Sequence, residues 1–468
     1  MIFVLFILPL LASIILLLFK SRRLNMAIVS FYAVAYLIVS VILYKSPESY
    51  GPYFKVDGLN ILFILVLAFV FAGTAMYIVE FLRKSRASAE KQTYFCISLL
   101  LFVFSMSGVL LTQHLGLLWV FVEATTLAST PLIYFEKSKA SLEATWKYVF
   151  ICSIGISIAF IGIIFLSIGM GKLNSLFFCD LYKNAGNIMP FWLKLSFPFI
   201  LIGFGTKMGI APVHAWLPDA HSEAPSPISA MLSGALLNAA LLAILRVLKI
   251  LKLAGMEHYA ADLFFLMGFL SLFISAVFIL RNNNYKRMLA YSSIEHMGII
   301  LIGIALGGIG AFASMFHIIS HSLVKASLFL TSGNIFGLYK TKEIDKVSGL
   351  LKVNSMTGWL WIIFFAGISA FPPFPTFLSE FLIIKAFFEN KIIIPAVLFL
   401  ALLTVIIYGM GKSVFSMSFG KKPAIDSPQA AGPLSFAPQF LFFLILMILG
   451  ISMPGSIYRI ILNAAAAL

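Results

Sequence analysis

Apolar residues run along this chain in stretches of about 20, the length a helix needs to cross the hydrocarbon layer of a bilayer, and short charged turns separate them. A transmembrane β-barrel would instead alternate polarity over shorter segments. The pattern predicts an all-α integral membrane protein with about 14 transmembrane helices. They begin near residues 1, 26, 59, 91, 114, 144, 195, 227, 260, 287, 310, 357, 392 and 435, with no soluble domain and no long linker between them.

Two of these spans are interrupted. The seventh places Lys207 inside an apolar run and breaks at Gly209 and Pro212. It then crosses a polar, proline-rich turn and resumes as an apolar helix from about Pro227. The twelfth carries Pro372, Pro373 and Pro375 within FPPFPTFLSEF. Broken helices in corresponding places predict two repeats of five spans, covering spans four to eight and nine to thirteen. Because five is odd, the second repeat lies inverted relative to the first. The chain then divides into 1–87 with three N-terminal spans, repeats at 88–256 and 257–420, and 421–468 with a last span.

Composition excludes a water-soluble globule: 61% of residues are hydrophobic and 11% charged, too little polar surface to cover a core. The net charge of +15 does not point to nucleic acid, since the basic residues sit at the ends of apolar runs rather than in one patch. With the N-terminus outside, the inner turns hold the larger share of the 33 Lys and Arg residues. Lys147, Lys207, Lys325 and Lys385 fall within spans. Arg246, Lys249 and Lys252 fall on the outer side against the trend, as snorkelling ends or through one miscounted span. Positive charge follows the first apolar run, at Lys20, Arg22 and Arg23, which reads as a first span rather than a cleaved signal peptide. Cys96, Cys152 and Cys179 have neither disulfide nor zinc spacing.

Charge inside a membrane is costly, so its default reading is functional. Lys207 precedes one break, near the C-terminal end of a half-helix, and Glu380 follows the other, near an N-terminal end; each helix dipole favours the charge beside it. Glu123 lies near the middle of the fifth span in LLWVFVEATTLASTPLI, where a carboxylate needs a cation from another helix to stay charged; Lys207 is the natural candidate. A Glu and a Lys whose separation changes drive each other's proton affinity up and down. His317, His321 and Lys325 recur every four residues, on one side of one helix, a column suited to proton relay. A metal site is disfavoured there because no carboxylate or cysteine completes the set at matching spacing. His214, Asp219, His221 and Glu223 in the polar turn serve either as a mouth for protons or as caps for broken helix ends. Glu295 and His296 extend the polar line, while Glu143 with Lys147 and the snorkelling Lys385 read as structural. The structural alternative for the remaining charges is that they stabilise irregular backbone or bond to nearby carbonyls. No phosphate loop, nucleophile elbow or cysteine cluster appears, so no cofactor is expected in this chain and electron transfer belongs to a partner.

Five stretches carry a resemblance: WVFVEATTLASTPL, GTKMGIAPVHAWLPDAHSEAPSPISA, YKRMLAYSSIEHMG, FHIISHSLVKASLFLTSG and FPPFPTFLSEF. Together they resemble the antiporter-like subunits of respiratory complex I, of multisubunit sodium/proton antiporters and of membrane-bound group 4 hydrogenases, with wording nearest the F-type subunits of hydrogenase-4. The resemblance implies a proton channel or pump module of 14 helices in two inverted repeats. In it Glu123 is the fifth-span glutamate and Lys207 its paired lysine, Lys325 is the eleventh-helix lysine beside His317 and His321, and Glu380 is the terminal charge. One departure is Asn238, where many such subunits carry a bridging lysine; water or nearby histidines would have to bridge the halves. The expected function is that of a non-redox-active translocase subunit in a hydrogenase or NADH dehydrogenase-like complex. Its partners would be other membrane subunits and peripheral hydrogenase or dehydrogenase subunits, in a cell inner (plasma) membrane with both termini outside. The alternatives are a sodium/proton antiporter module with no redox partner, and a structural anchor with inert charges.

Overall fold

In lipid every backbone N–H and C=O needs a partner within its own segment, so the apolar runs fold as helices. A computed structural model describes residues 1–171, 175–421 and 432–468. Helices α1 (Ile2–Phe19), α2 (Arg22–Lys45) and α3 (Asn60–Lys84) come first, with a small hairpin of β1 (Ser49–Tyr50) and β2 (Phe54–Lys55) between the last two. Then follow α4 (Ala89–Leu111), α5 (Leu115–Ile133), α6 (Lys139–Met170), the short α7 (Phe178–Lys183), α8 (Pro190–Met208) and α9 (Trp216–Glu223). Helix α10 (Ser226–Met231) continues through a π-helical turn at Leu232–Leu236 into α11 (Leu237–Leu253). The second half contains α12 (Glu257–Arg281), α13 (Tyr285–Leu306), α14 (Gly308–Tyr339), the short α15 (Leu350–Val353), α16 (Ser355–Ile368), α17 (Pro375–Glu389) and α18 (Ile393–Ser418). Helices α19 (Ala437–Ile451) and α20 (Gly455–Ala466) end the chain; the expected start of the last segment abuts residues 422–431, outside those described. Polar residues in the turns start several helices as N-caps: Ser88, Ser138, Asn284 and Asn354 each accept a backbone N–H from the first turn. The two longest helices, α6 and α14, have 32 residues each.

Among the described residues eleven helices are long and apolar enough to cross a membrane, or twelve if α19 and α20, bent by 80°, count as one span. The expected number was about 14, and the difference falls on the interrupted helices. Helix α8 carries Lys194 and Lys207 in 19 residues, and α16 and α17 have only 14 and 15 residues. Both breaks are closed the same way. At the end of α8 the Ile210 N–H reaches back to the Gly205 carbonyl at 3.1 Å and the Gly209 N–H to that of Thr206 at 3.2 Å, a Schellman closure with Gly209 at φ 79°. At the end of α16 the Phe371 N–H reaches Ala366 at 3.0 Å across Ala370 at φ 53°. Gly209→Ala places a Cβ in the left-handed region and against Leu217 Cδ1. It should therefore cost about 1 to 2 kcal/mol, read as a lower midpoint of thermal unfolding in detergent.

The halves share a packing order. Helix α4 packs on α5, α5 on α6, α6 on α8 and α8 on α11, which returns to α4. Correspondingly α12 packs on α13, α13 on α14, α14 on both α16 and α17, and these on α18, which returns to α12. The halves meet where α10 and the π turn lie against α14 and α9 lies against α13, with α3 packed across the seam. Helix α10 and α11 as far as Leu248 are enclosed and α13 and α14 nearly so, whereas α1, α2, α6, α12 and α18 show apolar faces outward, as at Leu18 and Ile394. Lipid is as apolar as leucine and offers no drive to hide it, so the polar helices take the centre, where they find partners.

Two of the three basic residues that broke the charge trend are tied into the protein. Arg246 is buried in an ion pair with Asp57 at 2.6 Å, and Lys249 donates to the Ala467 carbonyl at 2.7 Å. Both therefore end on protein partners, and α11 continues unbroken past them.

Candidate functional site

The break after Met208 leaves Lys207 in the last turn of α8, fully buried. Its ammonium donates to Thr126 Oγ1 on α5 at 2.8 Å and to the Tyr148 hydroxyl on α6 at 2.5 Å. Ser129 is committed as donor to the Thr125 carbonyl at 2.6 Å, so Tyr148 donates its own proton to Ser129 Oγ, also at 2.6 Å. Glu123 does not meet Lys207 directly. Ser153 Oγ donates to one carboxylate oxygen at 2.8 Å and Thr126 Oγ1 to the other at 3.4 Å. The ion pair expected from the sequence is thus replaced by a relay through one hydroxyl. Thr126 lies one turn beyond Glu123 on the same face of α5 and reaches the ammonium first.

Lys325, fully buried in α14, donates to the Leu289 carbonyl at 2.5 Å and to Ser292 Oγ at 3.0 Å, both on α13. The column of His317, His321 and Lys325 on one helix is therefore not a hydrogen-bonded chain, and the rings of the two histidines are 6.5 Å apart. His317 looks sideways instead. Ser379 Oγ donates to the Thr376 carbonyl at 2.9 Å, so it accepts from His317 Nδ1–H at 2.8 Å. That fixes the tautomer and leaves His317 Nε2 to accept from His296 Nδ1–H, again at 2.8 Å. Glu380 joins this pair: one of its carboxylate oxygens and one nitrogen of each imidazole all lie within 4.8 Å of one another. Glu380 is the sixth residue of α17, beyond the first turn where a helix dipole acts, so its surroundings are the imidazole pair rather than the helix end expected from the sequence. Glu295, beside His296, is buried in the middle of α13.

One short helix touches both clusters. Trp216, the first residue of α9, packs on the ring of Tyr148 at 4.8 Å. Further along α9, His221 is fully buried with neither ring nitrogen bonded, stacked 4.8 Å from Phe329, the ring over which Lys325 Nζ lies at 5.8 Å. Asn238 joins the halves by donating to the Gly234 carbonyl within the π turn at 2.9 Å and to Ser322 Oγ of α14 at 2.8 Å. π turns recur at functional positions. The ring of His321 lies 5.1 Å from that of His296, and neither of its nitrogens is bonded.

The carboxylates of the polar turn are held in ion pairs. Asp219 lies between Lys147, at 3.0 Å, and Arg287, while Glu223 pairs with Lys342 at 2.9 Å. The expected Glu143–Lys147 pair forms at 2.7 Å. His214 is buried with Nδ1 unbonded. A cavity of 760 Å³ opens beside Glu223 and is lined also by Tyr77, Lys286 and Asn334. Sequence reasoning missed Thr126, Tyr148, Ser153, Ser292 and Ser379 as partners. Hydroxyls are common in apolar helices; the available signals were Thr126 one turn after Glu123 and Ser379 directly before Glu380.

Comparison with known proteins gives the family of the chain. The family described as NADH:quinone oxidoreductase/Mrp antiporter, TM, matches residues 112–406, which hold every residue of both clusters. A hydrogenase-4 component F homolog from Methylacidiphilum infernorum (isolate V4) is 33% identical over 446 residues, 93% of each chain. A chain of the membrane-bound sulfane sulfur reductase, an archaeal respiratory membrane complex, superposes with a TM-score of 0.89 at 24% identity, covering 100% of this chain and 97% of that one. A chain of the Mrp complex from Dietzia sp. DQ12-45-1b gives 0.88 at 19% identity, covering 98% and 95%. On the family match and the full-length relative, this integral membrane protein belongs to the NADH:quinone oxidoreductase/Mrp antiporter transmembrane family.

Proposed function

We propose that the chain is the proton-translocating membrane subunit of a redox-driven complex of the membrane-bound hydrogenase or NADH dehydrogenase-like type, with no cofactor of its own. One observation carries the reading. Lys207 and Lys325 are bound only by neutral acceptors, hydroxyls and a carbonyl, whereas Lys147, Arg246 and Lys342 are paired with carboxylates. An ammonium held by neutral groups can pass on its proton without abandoning a buried carboxylate, so these two lysines are suited to cycling. A redox step in a partner shifts charge near one end of the subunit. Glu123 and Lys207 respond by changing their exchange through Thr126, and the proton passes by way of α9 and Asn238 towards Lys325, the histidines and Glu380. The cavity beside Glu223 and Lys286 supplies water and protons.

In this reading the chain keeps the division at 1–87, 88–256, 257–420 and 421–468, and lies in a prokaryotic plasma membrane with both termini outside. Its partners are other membrane subunits and peripheral hydrogenase or dehydrogenase subunits. The full-length relative's description as a hydrogenase-4 component supports this choice. The second reading, a sodium/proton antiporter module without a redox partner, draws on the Mrp antiporter branch of the same family. Gentle detergent purification of the tagged protein, followed by mass spectrometry of what remains bound, separates the two. Nickel- and iron–sulfur-containing subunits are expected. Recovery of small membrane proteins alone would favour the antiporter and would be followed by sodium-dependent flux in vesicles.

A further inference from the structure

We propose that His296, His317 and Glu380 form a binding site for a zinc(II)-type divalent cation at the junction of α13, α14 and α17. Two imidazole nitrogens and one carboxylate oxygen converge there, three protein ligands that leave one coordination position open, a set suited to zinc and poor for magnesium or calcium, which take oxygen. The sequence hid this set because the carboxylate comes from another helix, delivered by the break before α17. Little rearrangement is needed. The facing nitrogens are 2.8 Å apart, and tetrahedral zinc with bonds of about 2.0 to 2.1 Å sets its ligands roughly 3.3 Å from each other. The imidazoles must part by about half an ångström, and the Glu380 oxygen, within 4.8 Å, closes on them.

The support around the ligands is also in place. The Thr376 carbonyl holds Ser379, Ser379 holds His317 Nδ1–H, and the Nε2 lone pair is thereby aimed into the site, the outer-shell pattern that orients metal-binding histidines. On binding, the His296 proton moves from Nδ1 to Nε2, which has no hydrogen-bond partner, and Glu380 coordinates as carboxylate, any proton on it leaving to solvent. No oxidation is involved. The bound cation ties the half-helix α17 to α13 and α14.

The test uses the full chain in detergent, loaded with Zn2+ during purification because the ligands are buried, then passed over a chelating resin. Metal per chain is counted by plasma mass spectrometry, and zinc-edge X-ray absorption reports the ligands. One zinc per chain with two imidazoles is expected. His317→Gln and Glu380→Gln lose it, and Ser379→Ala, which keeps all three ligands, weakens affinity about 10- to 100-fold. His258→Gln, on the exposed surface, changes nothing. Absence of retained zinc in the native chain, equal retention in His317→Gln and Glu380→Gln, or a spectrum without imidazole would overturn the proposal. If either ligand variant aggregates, unchanged affinity in Ser379→Ala overturns it as well. Since binding is read without any flux, the outcome is independent of the proton-translocation reading.

Discussion

Lys207→Met is expected to abolish redox-driven proton transport while leaving the chain folded and the partners' electron transfer running uncoupled. Methionine matches the volume of the lysine stem, so packing should change by less than about 1.5 kcal/mol. Tyr148 retains Ser129 as acceptor and Thr126 retains Glu123, so no buried donor is stranded. What disappears is the group that, in the proposed path, takes and returns a proton, a loss of roughly 100-fold or more in rate. Lys207→Arg distinguishes this from a structural charge. A guanidinium keeps the charge beside the end of α8 but does not release its proton, so it too should fail. The measurement is acidification of inverted membrane vesicles containing the whole complex, followed with a pH-sensitive dye. Normal pumping in either variant would remove Lys207 from the path.

The second large effect is expected at Lys325→Met, which should also stop transport but at some cost in stability. Here the Leu289 carbonyl keeps Ser293 Oγ as a donor, but Ser292 Oγ is bonded to the lysine alone, and a methionine leaves that buried hydroxyl without a partner, a penalty of about 1 to 3 kcal/mol. The informative experiment is the double variant. If the two lysines act in series on one line, Lys207→Met with Lys325→Met loses no more transport than either change alone. Two independent routes, one in each half, would instead leave each single variant with about half the native flux and the double variant with none. That result would contradict the connection through α9 and Asn238.

Where a residue's surroundings lie on its own helix, the sequence was enough to read them. The spans, the breaks at Gly209 and at Pro372 to Pro375, and the Glu143–Lys147 pair all follow from spacing along one element. The span count fell short of 14 because α8, α16 and α17 are cut by those same breaks into pieces too short or too polar to pass as spans. Contacts between helices were legible only to the level of which charges are buried. Spacing on α14 suggested a column from His317 to Lys325, but a buried imidazole goes to the best-placed partner, and His296 and Ser379 arrive from other helices. Glu123 and Lys207 were matched by charge, whereas a threonine settled the geometry. Asn238 looked like a missing link in the line, yet it makes one of the hydrogen bonds that join the halves.

The two 32-residue helices have a mechanical consequence. At 1.5 Å per residue α6 and α14 are about 48 Å long, against a hydrocarbon layer of about 30 Å. Tilt shortens their projection but leaves both ends among the lipid headgroups or beyond. Helix α6 carries Tyr148 and Ser153, and α14 carries Lys325 and His317, so the groups that hold each cluster ride on the elements most sensitive to bilayer thickness. A change in acyl-chain length alters their tilt, and with it the spacing of Tyr148 from Lys207 and of Lys325 from α13, without any change in the protein.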